Sequence, residues 1–144
     1  KLDSLQVSAE DPHSAIVREV VDTLTRERVN ISSAAAYHLR LFGERQQSQA
    51  LTYTGRATPA EMSLTSEVAF TISDRQGRVL VGPETLSTER VYVNDRDNVV
   101  GSSQEADLLR REMRNDLSRQ LLFRLSSLSE SELQARERAL DQSQ

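Results

Sequence analysis

Apolar and polar positions alternate most regularly over residues 61–72, where Met62, Leu64, Val68, Phe70 and Ile72 share one parity that only Ser66 interrupts. The other parity reads Ser63, Thr65, Glu67, Ala69 and Thr71, so the pattern predicts a central strand with one dry face and one polar face. Leu5, Val7 and Ala9 alternate with Ser4, Gln6 and Ser8 and predict a short first strand. Asp11-Pro12 is expected to open a helix over 12–28, whose stripe is Ile16, Val17, Val20, Val21 and Leu24. Val29-Asn-Ile31 reads as an extended piece and 32–36 as a loop. A second long strand starts at Tyr37, with Leu39 and Leu41 on its apolar side and Leu51 and Tyr53 keeping that parity. Its middle, Arg45 to Gln49, is too polar for a core, which predicts either a strand running past the helical layer or a bulge.

Turn composition at 54–59 and at Asp74-Arg75-Gln76-Gly77 predicts two hairpin connections, with a fourth strand from Arg78 to Val93. Gly82-Pro83 falls inside that strand, and a proline that cannot donate to the ladder predicts a bulge or an exposed edge. Ser102-Ser103-Gln104-Glu105 has the form of a capping box ahead of a helix over 103–127, carried by Ala106, Leu109, Met113, Leu117, Leu121 and Leu125. The segment 129–144 offers only Leu133, Ala135, Ala139 and Leu140, so a mobile or weakly helical tail is expected there. The fold class is α+β: a single, mostly antiparallel four-stranded sheet with two α-helices packed on one face. Residues 1–128 form one domain in this reading.

Composition narrows the function classes. The chain has 144 residues, a net charge of −4 and 37 % hydrophobic residues, which allows a thin core and argues against a general nucleic-acid binder. Cysteine is absent, so no thiol chemistry, disulfide or thiolate metal site is available. No apolar run approaches the ~20 residues needed to span a bilayer. Lys1 is the only lysine and all the other Lys/Arg positions are arginines, a set suited to bidentate contacts with anions, although a genome-wide codon bias is the simpler account. A first residue other than methionine suggests that a leader or tag has been removed.

Catalytic signatures are missing from the sequence. His13 and His38 do not form a zinc constellation, and neither a GxSxG elbow nor a phosphate-cradling glycine loop occurs. Asn94-Asp95-Arg96-Asp97-Asn98 superficially resembles a calcium loop, but Val99 stands where that loop needs glycine. These observations point away from an enzyme and from any cofactor or metal, and toward a binding module with a bare polar sheet face and a projecting hairpin.

The order of elements, together with Ala60-Glu61-Met-Ser-Leu64, Arg90-Val-Tyr92, Glu105 with Leu109, Met113, Leu117 and Leu121, and Arg124-Leu125, resembles the LptE family from about residue 3 to 128. The resemblance implies a non-enzymatic lipoprotein on the periplasmic side of the Gram-negative outer membrane, tethered by an acylated N-terminal cysteine. It implies that such a protein plugs and helps assemble the LptD β-barrel and binds lipopolysaccharide on its way to the outer leaflet. The anchoring cysteine is not in this chain. Of the two basic positions the family uses for lipopolysaccharide, the hairpin tip has a counterpart in Arg56, whereas the position before the last helix reads Ser102-Ser103. Arg56 is the first candidate contact for the glycolipid, and Arg45, Arg75 and Arg78 are the others. The alternative is a periplasmic protein-binding adaptor with no preference for lipopolysaccharide.

Overall fold

In the computed structural model, which describes residues 2–53, 55 and 59–143, five strands and three helices follow one another as β1 (Ser4–Ala9), α1 (Ala15–Arg26), β2 (Asn30–Ile31), β3 (His38–Tyr53), β4 (Pro59–Ser73), β5 (Val79–Val93), α2 (Val99–Ser126) and α3 (Glu130–Ser143). The sheet order is β2-β1-β3-β4-β5. The α+β class stands, but the sheet is five-stranded and mixed rather than four-stranded and mostly antiparallel. β1 pairs in parallel with both β2 and β3, while β3–β4 and β4–β5 are antiparallel hairpins. The reason is α1: a strand that returns through a helix comes back parallel, whereas tight turns return antiparallel.

The alternation along β4 translates directly into burial. Leu64, Ser66, Val68, Phe70 and Ile72 are buried beneath the helices, and Leu39 and Leu41 of β3 join them. Helices α1 and α2 lie against each other over this face, joined where the Ser118 hydroxyl donates to Thr23 Oγ1 at 2.7 Å. Polar pairs fasten α2 to β5: Arg124 chelates Glu84 at 2.8 and 2.9 Å, and Asp116 accepts from Thr88 at 2.7 Å. The Thr88 hydroxyl, outweighing the cost of burial, holds the Asp116 carboxyl below its ordinary value, with help from Arg90 and Gln120.

Local chemistry shifts several boundaries. Asp11 does not cap α1. Its carboxylate is spent on the His13 amide at 3.1 Å within a turn, and Ser14 accepts from Val17 instead, so the helix begins at Ala15. Likewise α2 starts earlier than the capping box implies, with Asn98 accepting from the Gly101 amide at 3.1 Å. Ser102 Oγ accepts from the Asp95 amide at 2.8 Å and ties the preceding loop to the helix. In β3 the register slips between Phe42 and Arg45, around Gly43 at φ 62°, so the two halves of the strand have opposite parity. Leu51 and Tyr53 therefore do not continue the apolar side. Leu51 falls at a second slip and both are exposed. Gly82-Pro83 is a bulge opposite Thr71 and also lies on an edge strand. At Gly82 (φ 90°) a Cβ would come within 2.6 Å of the Phe70 carbonyl, which reserves the position for glycine.

The expected tail is a helix, α3. Leu133 has no solvent exposure and Leu140 packs on the same core, Arg136 donates to the Leu80 carbonyl at 3.0 Å, and Asp141 meets Arg78 at 2.6 Å. The core that Leu133 joins draws mainly on distant parts of the chain, so the helix is stabilised by contacts that no local pattern reveals.

Candidate functional site

The sheet face turned away from the helices follows from the register. Gln6 and Ser8 of β1, His38, Arg40 and Phe42 of β3, then Arg45, Gln47 and Gln49 after the slip, stand beside Thr71, Ala69, Glu67, Thr65 and Ser63 of β4. Thr85, Ser87, Glu89, Val91 and Val93 of β5 complete the surface. None of the described helices covers it. Half of its side chains are hydroxyls and amides, and its charges nearly balance: Arg45 approaches Glu67 at 3.5 Å, Ser8 Oγ lies 2.5 Å from His38 Nε2, and the Arg40 guanidinium sits 5.5 Å above the Phe42 ring. Such a face can exchange many hydrogen bonds with a polar wall.

The four arginines named from the sequence are not brought together. Arg45 is on the uncovered face, exposed, in the long β3–β4 hairpin. Arg56 lies outside the described residues. Arg75 is exposed in the turn between β4 and β5, at the opposite end of the sheet from the β3–β4 connection. Arg78 is next to that turn and already engaged, with Nε 2.8 Å from Asp74 and Nη1 2.6 Å from Asp141.

Asp74 organises this turn. Its Oδ1 accepts from the backbone amides of Gln76 and Arg78, each at 2.9 Å. Burial opposes its ionisation, but the backbone and side-chain hydrogen bonds from Arg78, joined by the Gln76 amide, prevail and hold the carboxyl below its ordinary value. Nearby Tyr37 is pushed up, first by burial and then by its hydrogen bond to Glu137 and the negative charge of that helix. This end of the molecule is therefore a structural joint between α3 and the sheet.

The opposite end has a different character. Among the described residues, the large hydrophobic side chains left exposed are Leu51, Tyr53, Val79, Val91, Val93, Val99, Val100, Leu108 and Phe123. Six of these nine lie where β3 and β5 end and α2 begins, so the exposed apolar surface is concentrated beside the hairpin tip. Sequence reading did not single out Val91 and Val93. The available signal was two valines at the odd positions of β5 beyond the Gly82-Pro83 bulge, a parity that carries Thr85, Ser87 and Glu89 before them. A second apolar feature, a cleft of about 350 Å³ between the start of the chain and α2, is lined by Leu2, Leu5, Leu24, Val29, Leu122 and Phe123, among others.

Among the described residues no group of His, Asp or Glu is placed to hold a metal ion, and no helix is long and apolar enough to cross a membrane.

The family model described as "LptE: Lipopolysaccharide-assembly" matches residues 2–125. The rare lipoprotein B from Shewanella oneidensis is similar in structure, with a TM-score of 0.76 and 25 % identity over 86 % of this chain and 94 % of that one. A minor lipoprotein from Acinetobacter baumannii has a TM-score of 0.74 and 28 % identity over 88 % of this chain and 92 % of that one. An uncharacterized lipoprotein B from Nitrosomonas europaea shares the fold, with a TM-score of 0.80 at 14 % identity over 94 % and 89 % of the two chains. No curated protein sequence matches the chain.

Proposed function

Since the chain belongs to the LptE family of lipopolysaccharide-assembly proteins, we propose that it works without chemistry of its own as the plug and assembly partner of an LptD-type outer-membrane β-barrel. In this reading it is lipid-anchored at the periplasmic side of the outer membrane and contacts lipopolysaccharide on its way outward. The observation that carries the reading is the uncovered sheet face. Four strands present Ser, Thr, Gln and paired charges there, and a polar barrel lumen is a surface with the same needs. Water satisfies such a face in the free protein, and the same hydroxyls, amides and charges can satisfy the groups lining a barrel wall once the protein is enclosed.

For the glycolipid, the arginines of the long hairpin, Arg45 and Arg56, are the proposed contacts, since guanidinium groups bind phosphates bidentately. Arg75 would serve only a ligand reaching the opposite end, and Arg78 would first have to leave Asp74 and Asp141. The test is co-expression with the LptD-type barrel of the same organism, purification in detergent, and size-exclusion chromatography. A stoichiometric complex that retains lipopolysaccharide supports the reading. Separate elution of the two proteins would overturn it and leave a protein-binding adaptor.

A further inference from the structure

The sheet has two very different edges. β2 ends it with two residues, but β5 leaves a fifteen-residue strand open along one side. Natural proteins blunt such edges, and much of β5 is blunted: Pro83 has no N–H, Arg136 covers the Leu80 carbonyl at 3.0 Å, and Gln120 covers the Ser87 carbonyl at 3.1 Å. These bonds also reveal which backbone groups face outward. The Asn94 amide donates inward to Ala60 of β4 at 2.7 Å, so even-numbered residues near this end of β5 turn toward the sheet. With Ser87 facing outward, Glu89, Val91 and Val93 do so too, because both backbone groups of a residue in an antiparallel ladder point the same way. Among the described residues, the one side-chain bond to the outward backbone groups of Glu89, Val91 and Val93 is that of the Arg90 guanidinium to the Glu89 carbonyl at 2.9 Å.

We infer that this open end, Glu89–Val93, receives an extended basic segment of the barrel partner as a sixth strand of the sheet. The inference rests on the function proposed above and adds a docking place to it. Three features agree on the occupant. A row of outward amides and carbonyls is matched by another backbone, which a lipid chain does not possess. Val91 and Val93, 48 % and 62 % exposed, offer apolar contacts on alternate positions, as an added strand requires. Among the described residues the charge around the strip is negative: Glu61, Glu89, Asp95 and Asp97 stand against Arg96 and an Arg90 already engaged with Asp116 at 3.4 Å.

The test is hydrogen exchange at single-residue resolution on the full chain, free and in the co-purified barrel complex. Strand addition protects the amides of Glu89, Val91 and Val93 at least ~10-fold and leaves Thr88, Arg90 and Tyr92, already bonded to β4, nearly unchanged. A complex that forms without this alternation overturns the inference and leaves the plug reading intact. Absence of any complex overturns both. As an independent check, Val91→Pro removes one outward donor and should weaken the complex roughly tenfold, whereas Val91→Ala keeps the donor and should lose much less. If the two variants bind alike while the melting temperatures of both match the parent, the added strand is ruled out. Protection of all six amides alike would indicate enclosure by lipid or barrel wall rather than pairing, and would also overturn it.

Discussion

The two ends of the sheet are built for different purposes. At the turn between β4 and β5, one continuous core takes in Phe70, Ile72, Leu39, Val81, Leu121 and Leu133, and the salt-bridged Asp74 turn holds α3 across it. At the hairpin end the buried cluster shrinks to Leu64, Ala106 and Met113, with Tyr92 and Leu109 against it, while valines and a tyrosine are left facing solvent. Apolar side chains are thus not scarce at the second end. They are left exposed at the strand ends, where the proposed sixth strand would cover them. Core burial is thus concentrated at one end of the strands and exposed apolar surface at the other, which is the division that the proposed docking requires.

The most severe way to test that separation is to open the large core. Phe70→Ala removes a side chain with no exposure and should cost ~3–5 kcal/mol, unfolding the domain as a whole. Leu64→Ala, in the small cluster, should cost ~2–3 kcal/mol, since fewer neighbours surround the cavity. Urea midpoints of the two variants provide the measure. Equal losses would mean that the two ends share one core after all.

Next in size is the helix α3. Leu133→Ala should lose ~2–3 kcal/mol if α3 is an integral part of the large core, and near nothing if it only rests on it. This is also where reading the chain as a pattern fell shortest. Leu133 and Leu140 make too thin a stripe to announce a packed helix, and the core that they join is drawn largely from distant parts of the chain. β2 was legible as an extended piece but not as a member of the sheet, because two residues have no period and only pairing with β1 defines them. By contrast β4 was legible throughout, since twelve residues of alternation leave one register possible. The parity change in β3 was half legible: the polar run Arg45 to Gln49 predicted an overrun or a bulge, and the slip lies just ahead of that run, around Gly43. The candidate site was legible only as a surface. A sequence shows that arginines are present but not which are already paired, and Arg78 is held by one carboxylate four residues away and another sixty-three residues away.

The Asp74 turn gives a smaller effect with a definite sign. Its carboxyl is held below its ordinary value in the folded chain, so its stabilisation is fully present above the unfolded pKa of about 4 and fades as pH falls through the lower folded value. Asp74→Asn should therefore be less stable than the parent at pH 7, and the gap should narrow steadily toward pH 3. Thermal melts of both proteins across that range decide it. A gap that stays constant with pH would show that the loss comes from geometry and not from charge.

The smallest effect on stability is expected where the effect on binding should be large. Changing Val91 and Val93 together to serine leaves the outward amides in place and removes only exposed methyl groups, so the urea midpoint should move by no more than ~0.5 kcal/mol equivalent. If anything, solubility should rise, because an exposed apolar edge is a site for unwanted pairing between copies. The barrel complex, however, should dissociate faster, since the alternate apolar contacts of the added strand are gone while its backbone bonds remain. A double variant that destabilises the free chain by as much as Leu64→Ala would mean that these valines belong to the core of the hairpin end. The division between a stabilising end and a recognising end would then have to be abandoned.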